Sequence, residues 1–261
     1  MIRLVHLLRR KPGTTAAQFT AYWRDEHAPL VARHQKRLEL LRYVQTHPDA
    51  ASAAGDHRAS DARGGMAPPW DGISETWWPS EQALGAVLAL AEGRAALEDI
   101  IADEQGFVDG AASPLWLAHE YPQVSITRER TVARPRTGVM RVHMALQPRA
   151  GMAQDEAQRY WRTVHGPLLR QHAPARGMLC YQQVHRFDSP LAAALAAPRG
   201  STAEAFMGHA EAWYDRLAMP AGPETEDAMA AAIADERNFI DLRRSVLLTG
   251  KELVFVDRNW V

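Results

Sequence analysis

Cysteine is almost missing from this chain. Cys180 stands alone among 261 residues, so no disulfide can close within it and no oxidising compartment is indicated. Long apolar runs are missing too: no uncharged stretch approaches the roughly 18 residues of a membrane span. The N-terminus alternates apolar residues with Arg3, His6 and Arg9, which suits a strand and not a signal peptide. Neither sign of charge is in excess. The formal net charge of −1 and pI near 6.8 remove the basic footprint of a nucleic-acid binder. Arg128, Arg130, Arg134 and Arg136 cluster, but Glu129 interrupts them and no aromatic platform accompanies them, so they read as a solvated linker. Gly-rich phosphate loops, nucleophile elbows, His-x-x-x-His, His-Glu-x-x-His and paired-Cys patterns are all absent, which argues against a tightly held nucleotide or a metal site. The expectation is a cytoplasmic protein with no membrane or nucleic-acid partner. Its 46% hydrophobic content can build one substantial core or two smaller ones.

What the chain does have is a repeat. Tyr22-Trp23-Arg24-Asp25-Glu26-His27-Ala28-Pro29-Leu30 returns 138 positions later as Tyr160-Trp161-Arg162-Thr163-Val164-His165-Gly166-Pro167-Leu168. The same offset of 138 carries His34 to His172, Tyr43 to Tyr181, Gln45 to Gln183 and His47 to His185. Glu75-Thr76-Trp77-Trp78 matches Glu211-Ala212-Trp213-Tyr214 at offset 136, and Asp103-Glu104 with Phe107 matches Asp235-Glu236 with Phe239 at offset 132. Val5-His6 is paired with Val142-His143 at offset 137. The matches keep their order, which indicates a duplicated domain. Two copies are too few for a solenoid, so a pseudo-twofold pair is the better reading.

Ile2 to Leu8 reads as a strand that ends at Lys11-Pro12-Gly13. Thr14 or Thr15 caps a helix through Tyr22 and Trp23. Pro29 lacks an N–H and disfavours helical angles at Ala28, which predicts a kink or break at His27-Ala28 and a restart to about Arg37. Leu40 to His47, Ile73 to Trp78 and Leu115 to Tyr121 are further strands, and a helical region from Ser80 is broken near Gly93. Residues 48–69 carry no apolar period and read as a long mobile loop that tolerates shortening, with a lid as the alternative. Each half is then β-α-β-β-α-β, the ferredoxin-like order of an α+β protein. The expected domains are 1–123, a linker over 124–137 with room for an edge strand, and 138–261.

A β-α-β-β-α-β unit whose first helix carries Tyr-Trp, then His-x-Pro-Leu, then a strand with Tyr-x-Gln, resembles the EthD family of the dimeric α/β-barrel superfamily. The run Asp-Gly-Ile-Ser-Glu-Thr-Trp-Trp at 71–78 and Asp-Glu-x-x-Phe at 103–107 extend the resemblance, and both halves carry it. The resemblance implies two fused units closing an intramolecular pseudo-dimeric α/β barrel with helices outside, as a monomer or a homodimer of it. It does not name one reaction: ether degradation beside an oxidising system, polyketide decarboxylation, cofactor-free oxygenation, cyclisation, isomerisation and haem chemistry all occur on relatives.

His27 and His165 are the leading candidates for catalysis, since imidazole can act as acid or base near neutral pH. Their alternative role is to bond a backbone group freed by the kink. Tyr22 and Tyr160 could donate to an oxyanion. Trp23 and Trp161 could form an aromatic wall, or simply pack against the sheet. His6, His143, His47 and His185 sit on strands as substrate-binding candidates or as satisfied core histidines. Asp103, Glu104, Asp235 and Glu236 read as helix-terminal surface or capping charges, with a catalytic carboxylate role as the alternative. Asp25 and Glu26 have Thr163 and Val164 as counterparts, so unequal environments are expected at the two histidines. The resulting expectation is a small-molecule enzyme with no bound organic cofactor and no metal. It would act on an aromatic or polyketide-like compound by lyase, cyclase or oxygenase chemistry. The alternatives are a non-catalytic binding or accessory protein of a degradation pathway, or a haem-dependent oxidoreductase.

Overall fold

The computed structural model describes residues 1–127 and 129–258, so Arg128 and the last three positions of the second expected domain lie outside the described residues. The first half runs β1 (Ile2–Leu8), α1 (Ala16–Tyr22), a wide turn at Trp23–His27, α2 (Ala28–Arg33), β2 (Arg42–Pro48), α3 (Ala53–Asp61), β3 (Gly72–Trp78), α4 (Glu81–Ala89), α5 (Ala91–Phe107) and β4 (Leu115–Ser125). The second runs β5 (Val139–Leu146), α6 (Gln154–Tyr160), a second wide turn at Trp161–His165, α7 (Gly166–His172), β6 (Met178–Arg186), α8 (Pro190–Ala196), β7 (Gly208–Asp215), α9 (Pro223–Glu236) and β8 (Val246–Asp257).

The eight strands close one antiparallel barrel in the order β1-β3-β2-β8-β5-β7-β6-β4. Each half contributes four consecutive strands of that ring, and the seams are β2 against β8 and β4 against β6. Closure leaves no free sheet edge. The period-2 alternation of each strand sends one set of side chains inward and the other toward the helices. Inside lie Val5, Leu7, Trp116, Ala145, Val184 and Leu248, drawn from both halves. Outside, Ile2, Leu4 and Tyr43 pack with Ala28 and Val31 under the helices. Among the described residues no helix is long and apolar enough to cross a membrane.

Several local expectations are refined or revised. The helix does not break at His27; it widens. Pro29 offers no N–H, and just ahead of it the chain slips into a π-helical turn in which Ala28 N–H donates to the Trp23 carbonyl. Gln45 Nε2 donates to the same carbonyl at 2.7 Å, and Gln183 repeats this on Trp161 at 2.9 Å. That contact gives the Tyr-x-Gln strand motif its physical purpose.

The helical region is broken near Gly93 as expected, though not by the glycine itself. The helix changes direction at Leu90, whose backbone is extended, while a Cβ on Gly93 would lie 2.1 Å from the Val87 carbonyl oxygen. Glycine is needed there so that α4 and α5 can approach.

Residues 48–69 are not a structureless insertion. They contain α3, Asp56 caps the backbone N–H of Thr249 at 2.9 Å, and buried Arg63 pairs with Glu236. The linker past Ser125 adds no strand among its described residues, but Ala133 is fully buried and its N–H donates to Glu252.

Finally, Val5-His6 and Val142-His143 are not equivalent. Arg3 pairs with Trp77, and Arg141 pairs with Trp213, so the register across the repeat is 138 and His6 corresponds to Met144. His6 therefore faces the helices, and His143 faces the barrel interior.

Candidate functional site

The wide turn presents its histidine to the long helix that follows β3 or β7. His27 Nδ1 lies 2.6 Å from Asp103 Oδ2, and the Tyr22 hydroxyl donates to Asp103 Oδ1 at 2.6 Å. The second half repeats the unit: His165 Nδ1 to Asp235 Oδ2 at 2.7 Å, and Tyr160 hydroxyl to Asp235 Oδ1 at 2.7 Å. Each aspartate is thus bridged by a tyrosine and a histidine. The hydrogen bond from His27 holds Asp103 below the usual carboxylate range, and His165 does the same for Asp235. An ionised carboxylate only accepts, so Nδ1 carries the proton, and in the neutral ring the lone pair is then on Nε2.

Beside each ring is a small cavity between sheet and helices. The first, of about 40 Å³, is lined by His6, His27, Tyr43, Ser74, Thr76, Glu104 and Arg199 among apolar side chains. The second, of about 70 Å³, is lined by Arg63, Trp161, His165, Arg176, Tyr181 and Glu236 among apolar side chains. Glu104 Oε1 is 4.0 Å from His27 Nε2. Burial alone would raise the Glu104 carboxyl, but the Arg199 guanidinium at 2.6 Å outweighs it and holds it below its usual value. His6 carries no hydrogen bond on Nε2, and its burial pushes it down to about 4, so it is neutral.

Asp103, Glu104, Asp235 and Glu236 are therefore not the surface or capping charges that their helix-end positions suggested. Of the acidic pair Asp25-Glu26, Asp25 turns outward to Arg24 and Glu26 is exposed. Tyr22 and Tyr160 are spent on the aspartates; Tyr22 is 39% exposed and neither tyrosine lines the two cavities beside the histidines. Trp23 is fully buried against Phe19 and His47, and only Trp161 of the two tryptophans borders a cavity. His47 and His185 do not border these cavities. Each lies against its tryptophan ring, at 4.4 and 4.5 Å, and holds the glutamine that bonds the wide turn. Their place is beneath the histidine turn.

Inside the barrel, His143 is the one candidate that the sequence marked; the charged cluster around it carried no local signal. Arg3 donates to Glu75 at 2.6 Å and also to Glu120 and Glu211; Arg141 donates to Glu75 at 2.7 Å and also to Glu211. The indoles of Trp77 and Trp213 donate to Glu120 and Glu252 at 2.6 and 2.8 Å. A cavity of about 350 Å³ opens onto this cluster and is bordered by Arg42 and, at the repeat-related position, Cys180. Alternation along the strands shows only that Arg3 and Val5 share a face. His143, His209 and Glu211 bring one ligand atom each within 4.8 Å of one another, a geometry that non-local strand pairing hid from any spacing rule. A divalent ion there would compete with the two guanidiniums already on Glu211, one of which lies 3.3 Å from His209 Nε2.

The EthD domain model matches this sequence twice, over residues 11–111 and 149–243. The chain belongs to the EthD family. Both histidine units, each with its tyrosine and aspartate, fall inside the matched EthD regions. No curated protein matches the sequence. Among solved structures, the EthD chain is similar to a candidate monooxygenase from Lactobacillus acidophilus NCFM, at 10% identity and TM-score 0.46, covering 98% of this chain and 96% of that one. It is also similar to a candidate monooxygenase from Fusobacterium nucleatum subsp. nucleatum, at 8% identity and TM-score 0.49, covering 97% and 92%. A third similar structure is a candidate chlorite dismutase, at 9% identity and TM-score 0.47, covering 97% and 95%.

Proposed function

We propose that this EthD chain is a cytoplasmic small-molecule enzyme that works without a bound organic cofactor. In this reading two fused ferredoxin-like repeats form an intramolecular pseudo-dimer, and each carries its own pocket. His27, and in the second repeat His165, is the acid/base group. The observation that carries the reading is the bridged aspartate: Asp103 accepts from Tyr22 and lies 2.6 Å from His27 Nδ1. That arrangement fixes the tautomer and leaves Nε2 to take a proton from a phenol or an enolisable carbon. Asp103 then stabilises the imidazolium, with the Glu104 carboxylate 4.0 Å from Nε2 adding to it. Tyr22 positions the aspartate and does not touch substrate.

An aromatic or polyketide-like ketone or acid fits the chemistry of a C–H or O–H acid. Cavities of about 40 and 70 Å³ hold only a few water-sized groups, so such a substrate requires the helices to part from the sheet. A haem beside either histidine would require a still wider opening. The small volumes and the burial of both rings favour one second reading, a non-catalytic binding protein in which the aspartate–histidine pair only secures the wide turn. Deuterium exchange separates the two. A panel of β-keto acids and hydroxyarenes in D2O is followed by NMR with the intact protein, His27→Gln, His165→Gln and the double variant. Enzyme-dependent exchange that is lost in the double variant supports catalysis; exchange that persists in it removes the histidines from the chemistry.

A further inference from the structure

The two cavities occupy repeat-related places but are not chemically alike. Around the first stand His6, Ser74 and Thr76, three neutral hydrogen-bonding groups, whereas Met144, Ala210 and Ala212 replace them around the second. The exchange is reversed at one position. Leu38 of the first cavity becomes Arg176 in the second.

Arg176 is 91% buried, being 9% exposed, and its guanidinium borders the cavity. Its Nε has no hydrogen-bond partner, and its Nη2 reaches only the Met229 sulfur at 3.8 Å. The acid in the same cavity cannot serve it. Glu236 is engaged through both oxygens by Arg63, each at 2.7 Å. Among the described residues no carboxylate pairs with Arg176. A buried guanidinium with an unpartnered Nε, beside a carboxylate already held by Arg63, is costly on its own, and is satisfied by a planar anion that presents two oxygens.

We infer that the second cavity is a binding site for a small apolar monocarboxylate, held by Arg176, while the first takes an uncharged hydrogen-bonding ligand. The divergence of the repeats is then a division of ligand classes between two sites in one chain. The carboxylate meets the guanidinium, and its short hydrocarbon tail lies against Met144, Met178 and Leu247. The inference stands on binding alone and does not depend on the acid/base role of His165.

The test uses the intact chain labelled with [13C-methyl]methionine. Met144 and Met178 border the second cavity and not the first, so their methyl signals report on it alone. Butyrate is titrated against butyramide, which has the same shape and no charge. Butyrate is expected to shift both methyls and to bind roughly tenfold or more tightly than the amide, the difference made by charge-assisted hydrogen bonds. Arg176→Leu, which installs the residue the first repeat uses at this place, should abolish that preference. Arg176→Lys should keep part of it. Unshifted methionine signals elsewhere establish that each variant is folded. Equal affinity for acid and amide, a preference that survives Arg176→Leu, or no butyrate response at Met144 and Met178 would each overturn the inference.

Discussion

Arg199 and Glu104 are 95 positions apart in the chain and meet at 2.6 Å, and Arg63 with Glu236 repeats the contact at 2.7 Å across 173 positions. Each arginine comes from the segment between the second and third strands of one half, and each glutamate from the long helix of the other. Both pairs line the histidine cavities, so neither cavity is complete within its own repeat.

Because all four side chains are buried, removing one partner leaves an uncompensated charge inside. Arg199→Met is expected to cost about 3–5 kcal/mol, and Arg199→Met combined with Glu104→Met clearly less than the sum of the two single changes. Urea unfolding of the four proteins measures this. Additive losses would mean that the pair is not coupled.

Deletion of residues 51–63 is expected to lower Tm by several degrees or abolish folding. Composition alone pointed the other way, toward a tolerated insertion. The deletion removes the Asp56 contact to Thr249 and the Arg63 contact to Glu236, and both anchor the opposite half. A melting curve unchanged by the deletion would return the segment to the status of a dispensable loop.

Acidification supplies a third prediction. Burial pushes His47 down to about 4, further lowered by the charge of Arg24, and pushes His185 down to about 3. His6 falls to about 4 as well. Unfolded, each returns to its ordinary value of 6.5, so below that pH the unfolded chain binds protons that the folded chain refuses. Stability is therefore complete above pH 6.5 and falls as the pH drops toward 4, by up to roughly 1.4 kcal/mol per pH unit for each histidine. Unfolding free energies measured between pH 7 and 4 test the sign. In His6→Met, which copies the equivalent Met144, the slope should decrease by about one proton; an identical slope would show that His6 is not held neutral.

The sequence made the repeat and the two histidine turns legible because local signals carried them. Pro29 announced an irregular helix, and aromatic residues at fixed offsets marked the copies. What it hid was everything decided by pairing between distant strands. His6 and His143 look alike in a linear alignment, yet a one-position difference in register sends them to opposite faces of the sheet. Arg3 and Arg141 carry no local signal of their role, because only barrel closure encloses them with Glu75 and Glu211. Asp103 resembled a helix-end charge because its partner lies 76 residues away.

The tautomer of His27 gives the most direct test of the site. Asp103 is held ionised and so accepts through both oxygens, from Tyr22 on one and His27 on the other, and the 2.6 Å contact then requires the proton on Nδ1. Asparagine at 103 keeps the shape but can turn an NH2 toward the ring, and a donor there favours the opposite tautomer, with the proton on Nε2 and no lone pair facing the cavity. Long-range proton–nitrogen NMR of the imidazoles should report Nδ1–H in the intact protein and Nε2–H in Asp103→Asn, while His165 keeps its signals because its carboxylate is Asp235. Tyr22→Phe removes one bond to Asp103 but leaves the carboxylate charged, so the tautomer should hold. If a turnover assay emerges from the exchange panel, Asp103→Asn should reduce the rate of the first site by about 10²- to 10⁴-fold, and Tyr22→Phe by much less. Nε2–H already present in the intact protein would rule out His27 as the base.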